Sequence, residues 1–325
     1  MATRKDVAQR AGVSAVTVSY VINNTKHVTP EVKARVEEAV RELHYTPNLV
    51  ARGLVTRRTQ HVAMFVNNLR NPHYAEMLAG AQSVASRKGY IVSIIMIDYS
   101  NEEEVLRLAA RGVDGAILAT ADTTATAGLL EGRLPYAAAG DYVDIRYREA
   151  VREAVRSLQR HGHRRIAFLS GFHLSRPEHI RYQYLREAMA ECGVPINEKL
   201  MIDGNVHEDT NEEAGVWAIR RLLETGEPFT AVMALNDVMA FGAMRELHSR
   251  GLRVPEDVSV IGCDNVGMSR YYIPQLSTID SSSFEVGKQL MRVLIRRIEK
   301  KQETGRTFEA VYRERESVGD CRERE

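Results

Sequence analysis

Cysteine is scarce in this 325-residue sequence: Cys192, Cys263 and Cys321 are the only three, and they lie far apart without paired spacing. This scarcity excludes a disulfide framework and a cysteine-rich zinc site, and it is typical of a reducing compartment. Long apolar runs are also lacking, since no stretch approaches the roughly 18 residues of a membrane span. The start, MATRKDVAQR, is charged and has no apolar signal-peptide core. We therefore expect a cytoplasmic protein with no membrane partner.

The sequence also lacks the motifs that mark common enzyme sites. It contains no G-x-x-x-x-G-K-S/T phosphate loop, no G-x-S-x-G nucleophile elbow and no H-E-x-x-H zinc motif. The ten histidines are scattered, and His161 and His163 precede a predicted strand, where turn and surface roles account for them. We expect a protein that is not an enzyme and that has no metal or other cofactor.

Positive charge is concentrated at one end of the chain. The net charge is +1, but residues 1–60 carry ten Lys/Arg and five Asp/Glu, which gives +5, and the remaining 34 bases and 38 acids give −4. A basic head on a mildly acidic body suits a phosphate-binding module joined to a larger part that does not bind DNA. The length allows two or three domains.

The first helices can be read from their caps. Thr3, with an acid three residues later, predicts an N-cap for a short helix over about residues 4–11, and Gly12 can adopt the left-handed conformation that ends it. Ser14 then caps a second helix that ends near Asn23. Two short helices separated by a three-residue turn are typical of a helix-turn-helix.

A third helix completes the predicted DNA-binding domain, residues 1–46. Thr29 as cap and Pro30 at the first helical position begin it, and it runs to about Leu43. The second helix should lie in the major groove, where Ala and Val can contact only apolar groups such as a thymine methyl, Tyr can add a hydroxyl hydrogen bond, and the other polar side chains suit phosphates. The alternative is a helical hairpin used only for packing. The predicted DNA contacts here are Thr3, Ser14, Ala15, Val16, Thr17, Ser19, Tyr20 and Asn23.

At this point the sequence resembles a known family. The lactose-repressor/galactose-repressor (LacI/GalR) headpiece, in particular that of purine-repressor-like members, is similar to the run KDVAQRAGVSAVTVSYVINNTKHVTPEVKARVEEAVRELHYTPNLVARGL. The resemblance implies that residues 47–60 hold a hinge helix and linker, that the hinge folds only on operator DNA, and that a leucine wedges into the minor groove. Eight residues with an internal glycine are indeed too few for a stable isolated helix. A plain basic linker is the alternative. The implied hinge contacts are Asn48, Ala51, Arg52 and Leu54.

Beyond residue 60, apolar runs of strand length alternate with amphipathic helical stretches. The predicted strands are HVAMFVNN, IVSIIMID, GAILAT, PYAAAG, RIAFLSG, AVMAL and VSVIGCD. The predicted helices are Tyr74–Lys88, Arg148–Gln159, Arg181–Glu191, Thr210–Leu223, Val238–Arg250 and Phe284–Lys301. Such alternation predicts an α/β core over residues 61–325 with two doubly wound parallel lobes. We expect lobe 1 at about 61–158 and 280–303, and lobe 2 at about 159–279 and 304–325.

Landmarks of the family's periplasmic-binding-protein-like core recur in order along this part of the chain, among them NP, RGVDG, GHRRI, ND and VIGCDN. By that likeness the effector contacts are His73 and Tyr74 from one lobe and Arg181, Asn236 and Asp264 from the other. Sugar- and base-like ligands need an aromatic plane and fork-shaped polar groups, which these residues offer. Each of them also has a simpler structural interpretation as a cap, a packing group or a surface residue.

The sequence departs from the family pattern in two places. The stretch 136–160 is shortened, so that a short strand ending in Val-x-x-Asp-Asn is expected to be missing. Within it, Gly140 stands at the position where the family has an acidic residue, and Asp141 falls one place later. After the segment near residue 202, Asn205 and Val206 stand where many members have Trp or Phe. These changes indicate an unusual ligand or a weakened pocket.

The sequence as a whole predicts a DNA-binding transcriptional regulator, a repressor whose operator affinity a small molecule controls. One short recognition helix reads few base pairs, so we expect a homodimer, formed through the core, on a pseudo-palindromic operator. Family likeness favours a sugar or sugar derivative as the effector. Two alternatives stay open: a constitutive DNA-binding regulator with a vestigial pocket, and a sugar-binding sensor without DNA activity.

Overall fold

The computed structural model describes residues 2–23, 26–46, 58–97, 102–109, 112–119, 124–140, 143–175, 180–204, 210–302 and 304–321. The chain divides into two units, Met1–Thr59 and Gln60–Glu325, each with its own hydrophobic core. In the described residues, no helix combines the length and the hydrophobicity that crossing a membrane requires.

The first unit contains three helices, α1 (Arg4–Ala11), α2 (Ala15–Asn23) and α3 (Pro30–Glu42). They pack around a small core that includes Val7, Val18 and Val36. The predicted caps of α1 are confirmed, because Thr3 forms a reciprocal capping box and Gly12 adopts φ 64°. Thr29 differs from the expectation, since its side chain makes no capping hydrogen bond.

Lobe 1 of the second unit is built on a four-stranded parallel sheet. Its strands are β1 (His61–Val66), β2 (Ile91–Met96), β3 (Gly115–Leu118) and β4 (Tyr136–Ala138), in the order β2-β1-β3-β4. Buried side chains on both faces of this sheet form two clusters under the flanking helices. Those helices are α4 (Pro72–Ala85), α5 (Glu102–Ala109), α6 (Thr124–Leu130) and α11 (Ser283–Ile298).

A strand follows lobe 1 where one was expected to be missing. β5 (Val143–Arg146) pairs in parallel with β11 (Arg306–Glu309). The sequence-based expectation was wrong because the strand is retained although it does not end in Asp-Asn. The buried side chains of Val143 and Phe308 pack against the core of lobe 1.

Lobe 2 has a six-stranded sheet in the order β12-β10-β9-β8-β6-β7, parallel except that β12 runs antiparallel to β10. Its strands are β6 (Ile166–Leu169), β7 (Met201–Ile202), β8 (Ala231–Ala234), β9 (Ser259–Cys263), β10 (Ser277–Asp280) and β12 (Val311–Arg313). Its helices are α7 (Arg148–Arg160), α8 (Ile180–Glu191), α9 (Glu212–Glu224) and α10 (Asp237–Ser249).

The lobe boundary expected at residue 158 differs from the packing in the structure. The buried face of α7, including Val151, Val155 and Leu158, lies in the core of lobe 2. The chain therefore passes into the second lobe just after β5, about ten residues earlier than the sequence interpretation placed the change.

Reciprocal glycines bring one pair of helices into backbone contact in each lobe. A Cβ on Gly80 of α4 or on Gly287 of α11 would lie 1.9 Å from a backbone carbonyl oxygen of the facing helix. In lobe 2, a Cβ on Gly215 of α9 or Gly242 of α10 would lie 2.0 Å from such an oxygen. Only glycine permits this separation of the helices.

Candidate DNA-binding and effector-binding sites

The first turn of α2 combines two hydrogen-bonded hydroxyl side chains with two small apolar ones. The Thr17 backbone N–H donates to Ser14 Oγ at 3.0 Å, and the two hydroxyl oxygens lie 2.9 Å apart. Ser14 therefore caps α2, as predicted. Val16 is 57% exposed, whereas Ala15 packs partly against the core of the first unit. Of the two apolar side chains predicted to read bases, Val16 is the one that is open for a contact.

Of the remaining predicted contacts, Ser19, Tyr20 and Asn23 lie in the second half of α2, whereas Thr3 precedes α1. Lys26 Nζ lies 5.0 Å from the centre of the Tyr20 ring, which adds a positive charge beside that aromatic. Asn23 donates from Nδ2 to the carbonyl oxygen and hydroxyl of Ser19, at 2.9 and 3.1 Å. The Thr3 hydroxyl is used in the capping box of α1. Hydrogen bonds within the protein therefore hold Asn23 and Thr3 in place.

Several predicted residues lie outside the described part of the chain. They are the four hinge residues Asn48, Ala51, Arg52 and Leu54, together with Asp141, Asn205 and Val206 of the expected departures.

A buried polar cluster lies at the carboxyl end of β9, where parallel α/β sheets bind ligands. The side chain of Asp264 is 4% exposed, and its Oδ1 accepts a hydrogen bond from Arg181 Nη2 at 3.1 Å. His73 Nδ1 lies 3.7 Å from the same oxygen and 2.8 Å from Ser283 Oγ. The structure therefore brings three of the five predicted effector residues together, one from lobe 1 and two from lobe 2.

Arg181 is held by three different groups. Its Nη1 donates to the carbonyl oxygen of Leu235 at 2.8 Å, and its Nη2 also donates to the hydroxyl of Tyr147 at 3.1 Å. The guanidinium carbon lies 4.9 Å from the centre of the Tyr147 ring. This fixes the planar fork and leaves its remaining N–H groups as potential ligand donors, because a guanidinium carries five. The side chain is 24% exposed, so a ligand can reach it.

Burial sets the charge states in this cluster. It raises the pKa of Tyr147 to about 12, so the hydroxyl keeps its proton at neutral pH. Burial also lowers the pKa of His73 from its ordinary 6.5, and the cation of Arg181 lowers it further, while Asp264 opposes the shift. His73 is therefore neutral at pH 7, and either ring nitrogen can accept a hydrogen bond, depending on the tautomer.

The other two predicted effector residues are engaged by the protein itself. Asn236 accepts the Met239 backbone N–H at 2.8 Å and donates to the carbonyl oxygen of Thr210 at 3.0 Å, so it caps α10 and anchors the segment before α9. The Tyr74 hydroxyl donates to Asn67 Oδ1 at 2.9 Å. The Tyr74 ring meets His73 edge-on, with centroids 5.3 Å apart.

Sequence reasoning missed two residues of this cluster, Tyr147 and Asp237. Tyr147 directly follows β5, the strand that was expected to be absent, so no pattern pointed to it. Asp237 begins α10 and is fully buried. Burial, together with the nearby charge of Asp264, raises the pKa of Asp237 to about 7. The adjacent Asn-Asp in the sequence was the available signal, but only its asparagine was selected.

Comparison with known proteins matches the two parts of the chain to two different domain families. Residues 3–48 match the model of bacterial regulatory proteins of the lacI family, and residues 155–318 match that of the periplasmic binding protein-like domain. A helix-turn-helix joined to such a core defines a bacterial transcriptional regulator that binds DNA under the control of an effector. It is not an enzyme.

Similarity to relatives extends over nearly the whole chain. The HTH-type transcriptional repressor PurR of Vibrio cholerae serotype O1 is 35% identical over 323 residues, covering 95% of each chain. The CelR–cellobiose complex is 30% identical with a TM-score of 0.69 over 98% of this chain and 100% of that one. The lac repressor dimer bound to operator and the anti-inducer ONPF is 26% identical, with a TM-score of 0.81 over 98% and 99%. The chain belongs to the LacI family.

Proposed function

We propose that this protein is a cytoplasmic repressor that binds a pseudo-palindromic operator as a homodimer. Its affinity for the operator decreases or increases when a sugar or sugar derivative binds in the cleft between the lobes. The observation that carries the proposal is the buried cluster of His73, Arg181 and Asp264, contributed by both lobes at the carboxyl ends of the strands. A cluster that spans two lobes can couple occupancy of the cleft to the relative position of the lobes.

The chemistry of the cluster suits a polyhydroxylated ligand. Asp264 offers carboxylate acceptors, Arg181 offers donors in a fixed fork, and His73 can donate or accept. A vicinal pair of hydroxyls needs such neighbouring donors and acceptors. The structural neighbour CelR was solved with cellobiose, which supports the same ligand class. Because the cluster is retained, we favour a working effector pocket over the alternative of a vestigial pocket, which the shortened sequence had left possible.

On the DNA side, we propose that Val16 and Tyr20 of α2 contact base edges and that Ser14, Thr17 and the hinge residues contact the backbone or the minor groove. Val16 suits a thymine methyl because it is exposed and cannot donate a hydrogen bond. Tyr20 can offer its ring and a hydroxyl hydrogen bond to a base edge, while Lys26 Nζ, 5.0 Å from the centre of that ring, suits a neighbouring phosphate.

An exposed apolar segment supports dimerisation through the core. In lobe 2, Met268, Tyr271 and Ile273 are 55%, 80% and 92% exposed within one short segment. In lobe 1, Ile91 and Met96 are exposed at the two ends of β2, the edge strand of its sheet. Exposed apolar groups clustered as in the lobe 2 segment mark protein interfaces, and a second copy of this chain is the partner that a pseudo-palindromic operator demands. The lac repressor, which shares the fold, is a dimer on its operator.

Effector and operator must then be coupled in both directions, commonly by about 1–3 kcal/mol. Two contacts between the lobes can change when the cleft is filled: that of the neutral His73 with Asp264, and the ion pair of Arg70 Nη1 with Glu213 Oε2, 3.7 Å apart near the surface. A ligand that replaces them alters the relative stability of the open and closed lobes.

A thermal-shift screen of sugars, sugar phosphates, nucleosides and purines tests the proposal, because a ligand at 100 times its dissociation constant adds about 2.7 kcal/mol. A ligand from the panel should shift both melting and operator affinity, and Asp264→Ala should abolish both effects while operator binding survives. Arg186→Ala, an exposed arginine on the same helix as Arg181, is the matched control and should keep the response. A ligand that still stabilises Asp264→Ala would place the pocket elsewhere. A complete lack of response would restore the vestigial-pocket reading.

A further inference from the structure

The turn that carries Asp264 has an unusual backbone. Asp264 and the next residue, Asn265, adopt φ values of 112° and 53°, a region that side chains with a Cβ rarely occupy. Two consecutive residues in such a conformation persist only where their surroundings hold them. The groups that hold this turn therefore determine where the Asp264 carboxylate lies.

Asp237 reaches the turn from the first position of α10. Its Oδ2 accepts the backbone N–H of Val266 at 2.9 Å, and its Oδ1 accepts the hydroxyl of Thr278 on β10. The same Thr278 oxygen accepts the backbone N–H of Asn265 at 3.2 Å. Asp237 is thus bonded to the turn directly at one amide and through Thr278 at the preceding amide.

The strand beneath the turn leaves room for this carboxylate. A Cβ on Gly262 of β9 would lie 2.3 Å from Asp237 Oδ1 and 3.1 Å from its Cα. From the other side, Arg315 donates from Nη2 to Asn265 Oδ1 at 2.6 Å and from Nη1 to the carbonyl oxygen of Leu276 at 2.6 Å. The turn is therefore pinned between α10, β10 and the segment after β12.

We propose that Asp237 is a positioning residue for effector binding, which holds the Asp264–Val266 turn in its positive-φ conformation and so presents the Asp264 carboxylate to the ligand. The link to a ligand rests on the function proposed above, whereas the hold on the turn does not. Because Asp237 is fully buried, it acts through the turn and makes no contact with the ligand.

The position of Asp237 makes this hold sensitive to pH. The charged or titratable groups facing it are Asp264 on the turn, Cys263 at the end of β9 and Arg315 after β12; Arg181 and His73 lie beyond Asp264. Above pH 7 the carboxylate accepts both hydrogen bonds, and bonds to an ionised acceptor are the stronger ones. Below pH 7 it is protonated, so the turn is held less tightly.

Global stability should move in the opposite direction, which separates positioning from a general structural role. The pKa of Asp237 is raised from 3.8 to about 7 in the folded state, so the folded protein binds this proton more tightly than the unfolded chain. The contribution of Asp237 to stability therefore increases as pH falls through 7. A loss of local order with a gain of overall stability is the signature expected.

The experiment is amide hydrogen exchange on the full-length protein at pH 6 and pH 8, expressed as protection factors for Asn265 and Val266. In the wild type, protection at Val266 should fall about tenfold from pH 8 to pH 6, the effect of about one hydrogen bond. Asp237→Asn keeps one acceptor without the charge, so its protection should be about tenfold lower at pH 8 and should not change with pH. In Asp237→Ala, the protection of the Val266 amide should be lower still.

Asp257→Asn is the matched control, because Asp257 also accepts a backbone N–H in lobe 2, from Arg253 at 2.9 Å, but it lies before β9, at the opposite end of that strand from this turn. It should leave protection at Asn265 and Val266 within twofold. If Asp237→Ala does not fold, Asp237→Asn decides the question. Wild-type protection in Asp237→Asn, or the same pH dependence, would overturn the proposal.

The second measurement is calorimetric titration with the tightest ligand of the panel, cellobiose included. Asp237→Asn should weaken its binding about tenfold at pH 8 and little at pH 6, while operator binding without ligand stays intact. Unchanged affinity in a variant that has lost protection at the turn would show that turn order is irrelevant to binding. If no panel member binds the wild type, the proposed effector function fails, and the exchange data alone decide whether Asp237 holds the turn.

Discussion

Replacing Arg181 with alanine removes a cation that bonds to Asp264, Tyr147 and the carbonyl oxygen of Leu235. The carboxylate of Asp264 stays behind, 4% exposed, with His73 at 3.7 Å as its remaining neighbour of potential positive charge. Breaking a buried ion pair from one side typically costs about 3–5 kcal/mol. Because Arg181 is 24% exposed, solvent screening favours the lower end, about 3 kcal/mol.

For a core of this size, a loss of about 3 kcal/mol corresponds to roughly 6–12 °C in Tm. The loss should be greater at pH 8 than at pH 5.5. His73 is neutral at pH 8 and leaves Asp264 uncompensated, and removing Arg181 also removes one cause of its lowered pKa. His73 in the variant therefore gains its proton at a higher pH than in the wild type, so the wild type loses more stability at His73 as pH falls, and the difference between the two proteins narrows.

Differential scanning calorimetry at both pH values measures this effect, and Arg186→Ala is the control. Arg186 lies on the same helix and pairs with Glu198 at 2.8 Å, but the pair is exposed on both sides. Exposed pairs contribute at most about 1 kcal/mol. Equal losses of Tm in the two variants, or a loss in Arg181→Ala that does not depend on pH, would refute the view that Arg181 neutralises a buried carboxylate.

Three other predictions concern stability at low pH and DNA binding. Arg220 and Arg250 lower the pKa of Glu246 to about 2, so the stability that this carboxylate contributes is present above pH 4.5 and is lost as pH falls toward 2. The difference in the urea midpoint of unfolding between the wild type and Glu246→Gln should therefore decrease over that range. Val16→Arg should change the preferred base at one half-site position by about 1–3 kcal/mol in a selection from random DNA, and an unaltered preference would contradict the register of α2. Deleting residues 1–58 should abolish gel retardation of operator DNA while the core still melts cooperatively, and retardation by the truncated protein would show that the DNA-binding unit is misassigned. For the full-length protein, a plot of the logarithm of the operator binding constant against the logarithm of the salt concentration should have a slope of about −0.9 for each phosphate contact.

Local signals in the sequence predicted the elements that are set locally. The capping pair Thr3 and Asp6, the left-handed Gly12 and the cap Ser14 each act within four residues, and all are confirmed. The long apolar strands of the core are confirmed as well, because strands buried on both faces need continuous apolar runs.

The parts that were missed depend on distant partners. β5 is short and amphipathic, and it exists because β11, about 160 residues later, pairs with it. The assignment of α7 to lobe 2 likewise follows from its packing and has no signal in its own sequence. The same reasoning applies to the site: family landmarks singled out Arg181 and Asp264, whereas Tyr147 and Asp237 gain their roles only through contacts with them.

The glycine contacts described for α4 with α11, and for α9 with α10, restrict how the core can move. Sliding one of these helices along its neighbour by a single residue would bring a side chain against a carbonyl that only Gly80, Gly287, Gly215 or Gly242 can approach. Shear between packed helices, one of the two common mechanisms of domain closure, is therefore blocked inside each lobe. An opening or closing motion must instead be a hinge rotation of two stiff bodies, taken up by the few residues that connect them: those after β5, those between β10 and α11, and those between β11 and β12.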